Sequence, residues 1–404
     1  NLVTLYAKPY SHDKNAMGVP LHVSTSNETI TRAKVGDVYD QIVKDLTKAS
    51  ELMGASRGNK GYPSKDAALG LLSRVHLYME NWDEVVKTVD AMLAGATPAS
   101  KLEKDFVALF PNAKTATETL FCIAHEATDT RGQSSIGSMY LKDGMGWGEI
   151  YPSNTLLYLY ERYPMDVRYK GIILPQTLAS GTMTAYLPIE AQEGGISTGR
   201  SNMIATATPV GDNFTCTVDG TKYTIEKRTI NGEYTEYWMN YKGEDVQVRV
   251  HPAMQNRKQI PMYYINKFSY QDGDPMLSSP IICRWGEVIL NRAEAYAHLG
   301  KDAEALADVN VIRERAGIPE EGWFAAGKMH GYASALDVVI DERRLELAFE
   351  GHRLFDLTRN KRTIDRRFPG AQPWEVVEPT YPKLQYPIPN NEWTVSGIEQ
   401  NPTY

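Results

Sequence analysis

The chain has 404 residues, of which 42% are apolar, so it can bury a large core as one big or two medium globular domains. Its 43 Lys and Arg residues against 50 Asp and Glu residues give a formal charge of -7, and no segment concentrates basic residues enough to follow a phosphate backbone. No apolar run approaches the roughly 20 residues that cross a bilayer. These features exclude nucleic acid as a partner and a membrane-spanning helix in this chain.

The first residues are typical of the end of an apolar helix, which Pro9 stops. No initiator Met, charged leader region or small-residue cleavage site precedes Asn1. We therefore expect upstream sequence to be missing, so this part of the chain gives no information on localisation.

Two regions of the sequence predict helical hairpins. Apolar residues recur at three- and four-residue steps over 35–53; a second helix opens at the N-cap Ser64 and a third covers 82–93, which gives a hairpin region of about 35–95. Downstream, helices over 289–299 and 302–315 belong to a region of about 285–360. In tetratricopeptide repeats, small and aromatic residues occur at fixed positions of the two helices. The downstream pair matches this pattern well, and the upstream pair matches it loosely.

The segment of about 171–270 has a different pattern. Asp219-Gly220 and Asn231-Gly232 separate runs of alternating apolar residues, which predicts β-hairpins. Alternation places Trp238 on one face of the strand that begins at Tyr234, and Tyr241 on the other. The sequence therefore predicts a mainly α fold, one domain over 1–404 with a tetratricopeptide-like helical scaffold, long loops and a small β-hairpin region.

Three C-terminal segments together resemble the SusD/RagB family. Arg284 to Ile318 contains RWGEVILNRAEAY and ALADVNVIRERAGI, Glu342 to Arg359 reads ERRLELAFEGHRLFDLTR, and the chain ends with YPIPNNE and QNPTY. These are similar to the family's consecutive helix motifs and to its closing motifs, in the same order. Thr403 stands where the family usually has Gly. Weaker similarity reaches most of the chain and is least in the β-rich segment.

The resemblance implies a protein that is not an enzyme. It implies a lipoprotein at the cell surface of a Gram-negative bacterium, which would reach the outer membrane only through a lipid anchor that is absent from this chain. Such a protein captures oligosaccharides or polysaccharides and passes them to a SusC-like TonB-dependent transporter. Two alternatives remain open: a tetratricopeptide-type scaffold that holds peptides, and a glycosidase that uses two carboxylates.

The acidic residues near the C-terminus invite a catalytic interpretation, because Glu346 and Glu350 lie one helical turn apart. The arginines and apolar residues among the carboxylates of 342–359 favour structural ion pairs instead. The sequence has no HExxH, GxSxG, Walker or GxGxxG motif. The eight histidines lack partners at ligand spacing, and the three cysteines (Cys122, Cys216 and Cys283) form no CxxC pair, so we expect buried thiols, no metal and no cofactor.

A glycan presents flat C–H faces and a ring of hydroxyl groups, so its binder needs exposed aromatic rings flanked by polar side chains. The sequence contains 24 Tyr, 7 Trp and 9 Phe residues. Three segments combine aromatic residues with Gly, Asn or Asp: the loop 10–15, the Gly-rich segment 144–151 and the strand 234–241. Their candidate glycan-binding residues are Tyr10, Asn15, Trp147, Tyr151, Trp238 and Tyr241.

Overall fold

The computed structural model describes residues 2–25, 31–56, 58–142, 144–193, 196–370, 372–402 and 404, without the side chains of 190–193 and 196–199. Asn1 and Thr403, which the sequence interpretation includes in the opening helix and the closing motif, lie outside the described residues. The helices are α1 Leu2–Tyr6, α2 Val35–Leu52, α3 Lys65–Tyr78, α4 Trp82–Leu93, α5 Phe106–Leu109, α6 Ile136–Tyr140, α7 Asn154–Glu161, α8 Val167–Ile172, α9 Trp285–His298, α10 Asp302–Arg315, α11 Ala335–Glu346, α12 Arg353–Arg359 and α13 Asn390–Ser396.

The strands are β1 Met17–Pro20, β2 Arg32–Lys34, β3 Thr119–Cys122, β4 Ile173–Pro175, β5 Met183–Glu193, β6 Ile196–Thr206, β7 Thr208–Val210, β8 Asn213–Val218, β9 Thr221–Ile230, β10 Tyr234–Tyr241, β11 Glu244–Pro252, β12 Asn256–Arg257, β13 Ile260–Pro261, β14 Tyr263–Ile265, β15 Ile281–Arg284, β16 Ile364–Asp365 and β17 Val376–Val377. Within the described residues, no helix combines the length and the apolar character that crossing a bilayer requires.

Helix α9 lies at the centre of the helical scaffold. It packs against α3, α4, α10 and α11, and its residues are buried without interruption from Trp285 to Ala295. The helix begins four residues before the predicted start at 289, because β15 leads directly into it and the continuous apolar run does not mark the boundary. The predicted N-cap of α3 is confirmed, since the Ser64 hydroxyl accepts from the N–H of Ala67 at 3.2 Å.

The β region is larger than the predicted small hairpin region. It forms a seven-stranded antiparallel sheet in the order β6-β5-β11-β10-β9-β8-β7, and the chain is 37% helix and 22% strand. The turns at Asp219-Gly220 and Asn231-Gly232 are confirmed as hairpin turns with positive φ. The additional strands β5 and β6 were missed because β5 has a nearly continuous apolar run and β6 is rich in Ser and Thr, so neither shows clear apolar alternation.

The sheet is curled, since β6 and β8 contact each other from opposite ends of the strand order. The inside of the curl holds its own apolar core, in which Ile225, Met239 and Val248 are almost fully buried. Part of the outside packs on the helical scaffold, where Tyr186 of β5 belongs to a core with residues of α7 and α8. There α7 is fixed to α11 by a hydrogen bond of 2.7 Å from the Tyr160 hydroxyl to the carbonyl oxygen of Leu345.

Candidate functional site

The acidic residues with a possible catalytic interpretation are enclosed in an ion-pair network. Glu346 is fully buried, and its carboxylate accepts from Arg284 at 2.6 Å and from Arg168 at 3.2 Å. Glu350 contacts Arg284 at 2.8 Å and Lys267 at 2.7 Å. Further buried pairs extend the network: Arg315–Glu346, Arg315–Glu118, Arg284–Glu118, Arg168–Glu342, Arg313–Glu342, Arg343–Asp356 and Arg359–Glu294.

These carboxylates are held ionised by the cations around them. Burial raises the pKa of Glu350, but Arg284 and Lys267 outweigh it and bring that pKa down to about 2. Arg315, Arg284 and Arg168 likewise hold the pKa of Glu346 far below its usual range in spite of its burial. A cavity of about 10 Å³ beside Glu350 has room for no more than one water. The structural interpretation of this cluster is confirmed.

Trp147 stands on a loop that is folded back onto α6. The N–H groups of residues 147–150 donate to the carbonyl oxygens of Ser138 and Met139 at distances of 2.6 to 3.0 Å. Gly146 allows this close approach, because a Cβ at that position would lie 1.8 Å from the carbonyl oxygen of Leu141. The loop is therefore fixed by its backbone, and the side chain of Trp147 is free to face outward.

The surroundings of Trp147 combine an aromatic surface with charged groups. Its side chain is 48% exposed. Beside it, Arg257 and Glu149 form an ion pair of 2.8 Å in which the two side chains are 44% and 49% exposed. The ring of Tyr264 packs against the loop at Gly148. Exposed apolar side chains form the rim: Ile136, Met139, Met145 and Ile150.

Tyr151 belongs to the same surface. It is partly buried, and its hydroxyl has no hydrogen-bond partner among the described residues. Burial raises the pKa of Tyr151 and Arg257 lowers it, with a net increase, so the phenol stays protonated at neutral pH. We call the surface made by Trp147, Glu149, Tyr151, Arg257 and Tyr264 the Trp147 patch.

Three members of the Trp147 patch were missed by the sequence interpretation. Arg257 lies 108 positions after Glu149, on β12, and Tyr264 lies on β14. Arg257 has no aromatic or glycine-rich neighbourhood like that of segment 144–151, and Tyr264 follows Tyr263 in a strand without glycine. Glu149 lies inside that segment, so its proximity to Trp147 was a usable signal.

The other candidate residues lie apart from the Trp147 patch. Trp238 and Tyr241 face opposite sides of β10, as alternation predicts. Tyr241 packs with Tyr223 inside the curled sheet, with ring centroids 5.5 Å apart. Trp238 lies on the outside, donates from Nε1 to Glu236 at 2.8 Å and lies beneath the guanidinium of Arg228, which is 5.3 Å from its ring.

Tyr10 lines a separate cavity of about 490 Å³ between the first residues, α12 and the C-terminal segment. Its ring meets that of Tyr39 edge to face, with centroids 5.4 Å apart. Two polar groups of this cavity are already used within the chain: His12 bonds the carbonyl oxygen of Thr358, and Arg359 pairs with Glu294. Asn15, in the same loop, is exposed.

The three cysteines are free and buried, as predicted. In the part of the chain that the structure describes, no group of three or more His, Cys, Asp or Glu side chains is placed to hold a metal ion.

Comparison with known proteins identifies relatives over almost the whole chain. Residues 117–404 match the family described as "SusD family", and residues 1–77 match one described as "Starch-binding associating with outer membrane". The SusD-like protein P2 of Formosa agariphila is 24% identical over an alignment of 362 residues, which covers 83% of this chain and 58% of that protein. The chain therefore spans less than two thirds of the length of this relative.

Solved structures share the fold. A SusD superfamily protein of Bacteroides thetaiotaomicron has a TM-score of 0.70 at 23% identity, covering 99% of this chain and 74% of its own. A protein of Bacteroides vulgatus described as a SusD-like carbohydrate binding protein has a TM-score of 0.61 at 18% identity, covering 98% of this chain and 73% of its own. The description of the family matched by residues 1–77 names starch binding, and that of the second solved structure names carbohydrate binding. Because the family match covers more than half of the residues, the chain belongs to the SusD family.

Proposed function

We propose that the protein captures a glycan at the outer face of a bacterial outer membrane, with the Trp147 patch as its binding site. The observation that supports this site is a half-exposed indole on a loop fixed by backbone hydrogen bonds, beside an exposed Arg257–Glu149 pair. The ligand class is supported by the family description as starch-binding and by the neighbour described as carbohydrate binding.

The chemistry of the Trp147 patch suits binding without bond cleavage. The indole and the ring of Tyr264 provide flat apolar surfaces for the C–H face of a sugar ring. Arg257 donates hydrogen bonds and Glu149 accepts them, so a sugar hydroxyl can satisfy both of its roles there. A shallow and wet site of this kind gives weak affinity, which permits release of the cargo.

Calorimetric titration with a panel of oligosaccharides tests the site. We expect Trp147→Ala to weaken binding by about tenfold or more, which corresponds to about 1.4 kcal/mol, because one aromatic platform is lost. Trp393→Ala is the matched control, since this tryptophan is 43% exposed and belongs to α13, away from the loop 144–151. Unchanged affinity in Trp147→Ala, or an equal loss in Trp393→Ala, would refute the proposed site.

Delivery to a SusC-like TonB-dependent transporter, and attachment to the membrane as a lipoprotein, are the finer parts of this proposal. They rest on the family match and on its description as associating with the outer membrane. The tagged full-length protein should co-purify with a SusC-like transporter from outer-membrane extracts. Recovery of the protein from the periplasm, with no transporter bound, would contradict this part and leave glycan binding untouched.

The two alternatives have less support. A peptide-holding scaffold needs an open helical surface, yet α9 is buried on every side from Trp285 to Ala295. A glycosidase needs two accessible carboxylates, yet Glu346 and Glu350 are bound by arginines.

A further inference from the structure

The seven-stranded sheet divides between β10 and β11. These strands pair from Tyr241↔Glu244 to Tyr237↔Val248. Beyond that point, the first half of β10 pairs with β9, and the last four residues of β11 pair with β5. The facing edges of the two strands therefore separate. A gap lies between them, and it is lined by backbone N–H and C=O groups that would form hydrogen bonds in a continuous sheet.

A cleft of about 300 Å³ occupies this gap. Its floor is the end of α7, with Tyr158 and Glu161, followed by Arg162. Its walls include Glu236 and Tyr237 from β10 and Gln247 from β11. The volume is at the lower end of the range for small-molecule sites, which extends to about 1,000 Å³, so the cleft fits a short ligand.

The floor of the cleft is rigid. Glu161 accepts from both Arg249 and His251, and although burial raises the pKa of Glu161, Arg249 brings it down to about 2. Arg162 donates to the Tyr332 hydroxyl at 3.0 Å and lies 4.8 Å from the ring centroid of Tyr234. The Nε of Arg162 has no hydrogen-bond partner within the described residues.

The walls offer both kinds of hydrogen-bonding group. Trp238 donates to one oxygen of Glu236 at 2.8 Å and so orients this carboxylate, whose other oxygen can also accept. The amide of Gln247 supplies a donor and an acceptor, and the ring of Tyr158 supplies apolar surface. The ring of Tyr237 packs on Phe214 inside the curled sheet, so only its position on the strand edge borders the cleft. Trp238 is thus a positioning residue here, and it acts through Glu236.

The charges of the cleft do not favour an ion. Glu161 and Arg249 form an ion pair, and Glu236 and Asp341 both act on Arg162. With Lys227 as the remaining cation, three positive charges meet three negative ones. A ligand that both donates and accepts at several positions, with small apolar faces between them, matches these walls better than a phosphate or a carboxylate does. Sugar hydroxyl groups have this property.

We propose that the cleft between β10 and β11 is a second binding site for a neutral saccharide of one to three rings, independent of the Trp147 patch. Glu236, Gln247 and the separated strand edges hold the hydroxyl groups, and the ring of Tyr158 contacts a sugar face.

Calorimetry in the Trp147→Ala background tests this site without interference from the first. The probes are neutral mono-, di- and trisaccharides of gluco, manno, galacto and xylo configuration. We expect at least one probe to bind Trp147→Ala, and Glu236→Gln or Gln247→Ala added to that variant to weaken this binding by about fivefold or more, because a hydrogen bond to the sugar is lost. Glu226→Gln is the matched control, because this residue lies opposite Trp238 on β9 but does not line the cleft.

Two results would overturn the second site: no probe binds once Trp147 is replaced, or the remaining binding is unchanged by both substitutions in the cleft. The opposite pattern, in which Trp147→Ala retains all binding and the cleft variants lose it, would refute the Trp147 patch and support the cleft. Thermal unfolding of each variant shows whether a loss of binding reflects a loss of fold.

Discussion

The side chain of Glu346 is a single buried anion shared by three arginines, Arg168, Arg284 and Arg315. Removing one partner of such a network leaves buried charges without compensation. We expect Glu346→Gln to lower the free energy of unfolding by about 3–5 kcal/mol, because the amide keeps the shape of the side chain but not its charge. Urea unfolding at pH 7, followed by circular dichroism, measures the difference.

The control for this variant is an exposed ion pair. Glu84 contacts Lys87 on the surface of α4, where the two side chains are 48% and 75% exposed. Glu84→Gln should change the free energy of unfolding by no more than about 0.5 kcal/mol, since water already screens this pair. If Glu346→Gln is as stable as Glu84→Gln, the network does not hold the scaffold together.

At the scale of one element, the loop 144–151 presents Trp147 only because its backbone lies against α6. A Cβ on Gly146 would meet the carbonyl oxygen of Leu141, and backbone atoms of a helix end cannot move aside as a flexible side chain can. We expect Gly146→Ala to displace the loop and to weaken glycan binding by about tenfold, although every aromatic side chain remains. Calorimetry gives the affinity, and acrylamide quenching of tryptophan fluorescence reports the changed exposure of Trp147.

Gly54→Ala is the matched glycine control, because no atom lies within 4 Å of a Cβ at that position. It should bind glycan as the unmodified protein does. Normal affinity in Gly146→Ala would mean that the loop adapts without cost, and the fixed-loop argument would then be wrong.

Across the whole molecule, buried carboxylates link the stability of the fold to pH. Arg249 lowers the pKa of Glu161 to about 2, and Arg284 with Lys267 does the same for Glu350, in each case against the effect of burial. Unfolded carboxyl groups titrate near pH 4, so the unfolded chain takes up protons first as the pH falls. The stabilisation from these groups is complete above that pH and is lost as the pH falls towards their folded values.

We therefore expect the steep decrease in the free energy of unfolding to lie below about pH 4 and to continue towards pH 2. Urea unfolding at pH 7, 5, 4 and 3 measures the free energy of unfolding at each pH. Added salt should weaken the effect only slightly, because buried pairs are poorly screened. Stability that stays constant or increases between pH 5 and pH 3 would show that these carboxylates are not ionised in the folded protein.

The sequence alone indicated much of the helical scaffold. The periodicity of 35–53 and 302–315, the N-cap Ser64 and the C-terminal motifs are local signals, because a helix repeats every 3.6 residues and its ends are marked within one turn. The alternation of Tyr234 to Tyr241 likewise separated the two faces of β10, because successive side chains of a strand point to opposite sides of the sheet.

Tertiary structure decided what local patterns do not encode. The seven-stranded sheet joins β5 and β6 to the predicted hairpins through the pairing of β5 with β11, which lie far apart in the chain, and no local pattern reveals this pairing. The ion pair between Arg257 and Glu149 and the separation of β10 from β11 likewise depend on how distant segments pack. The sequence thus determined which residues could form helices, ion pairs and aromatic surfaces, while packing of distant segments determined which of them meet, because contact between residues far apart in the chain is a property of the whole fold.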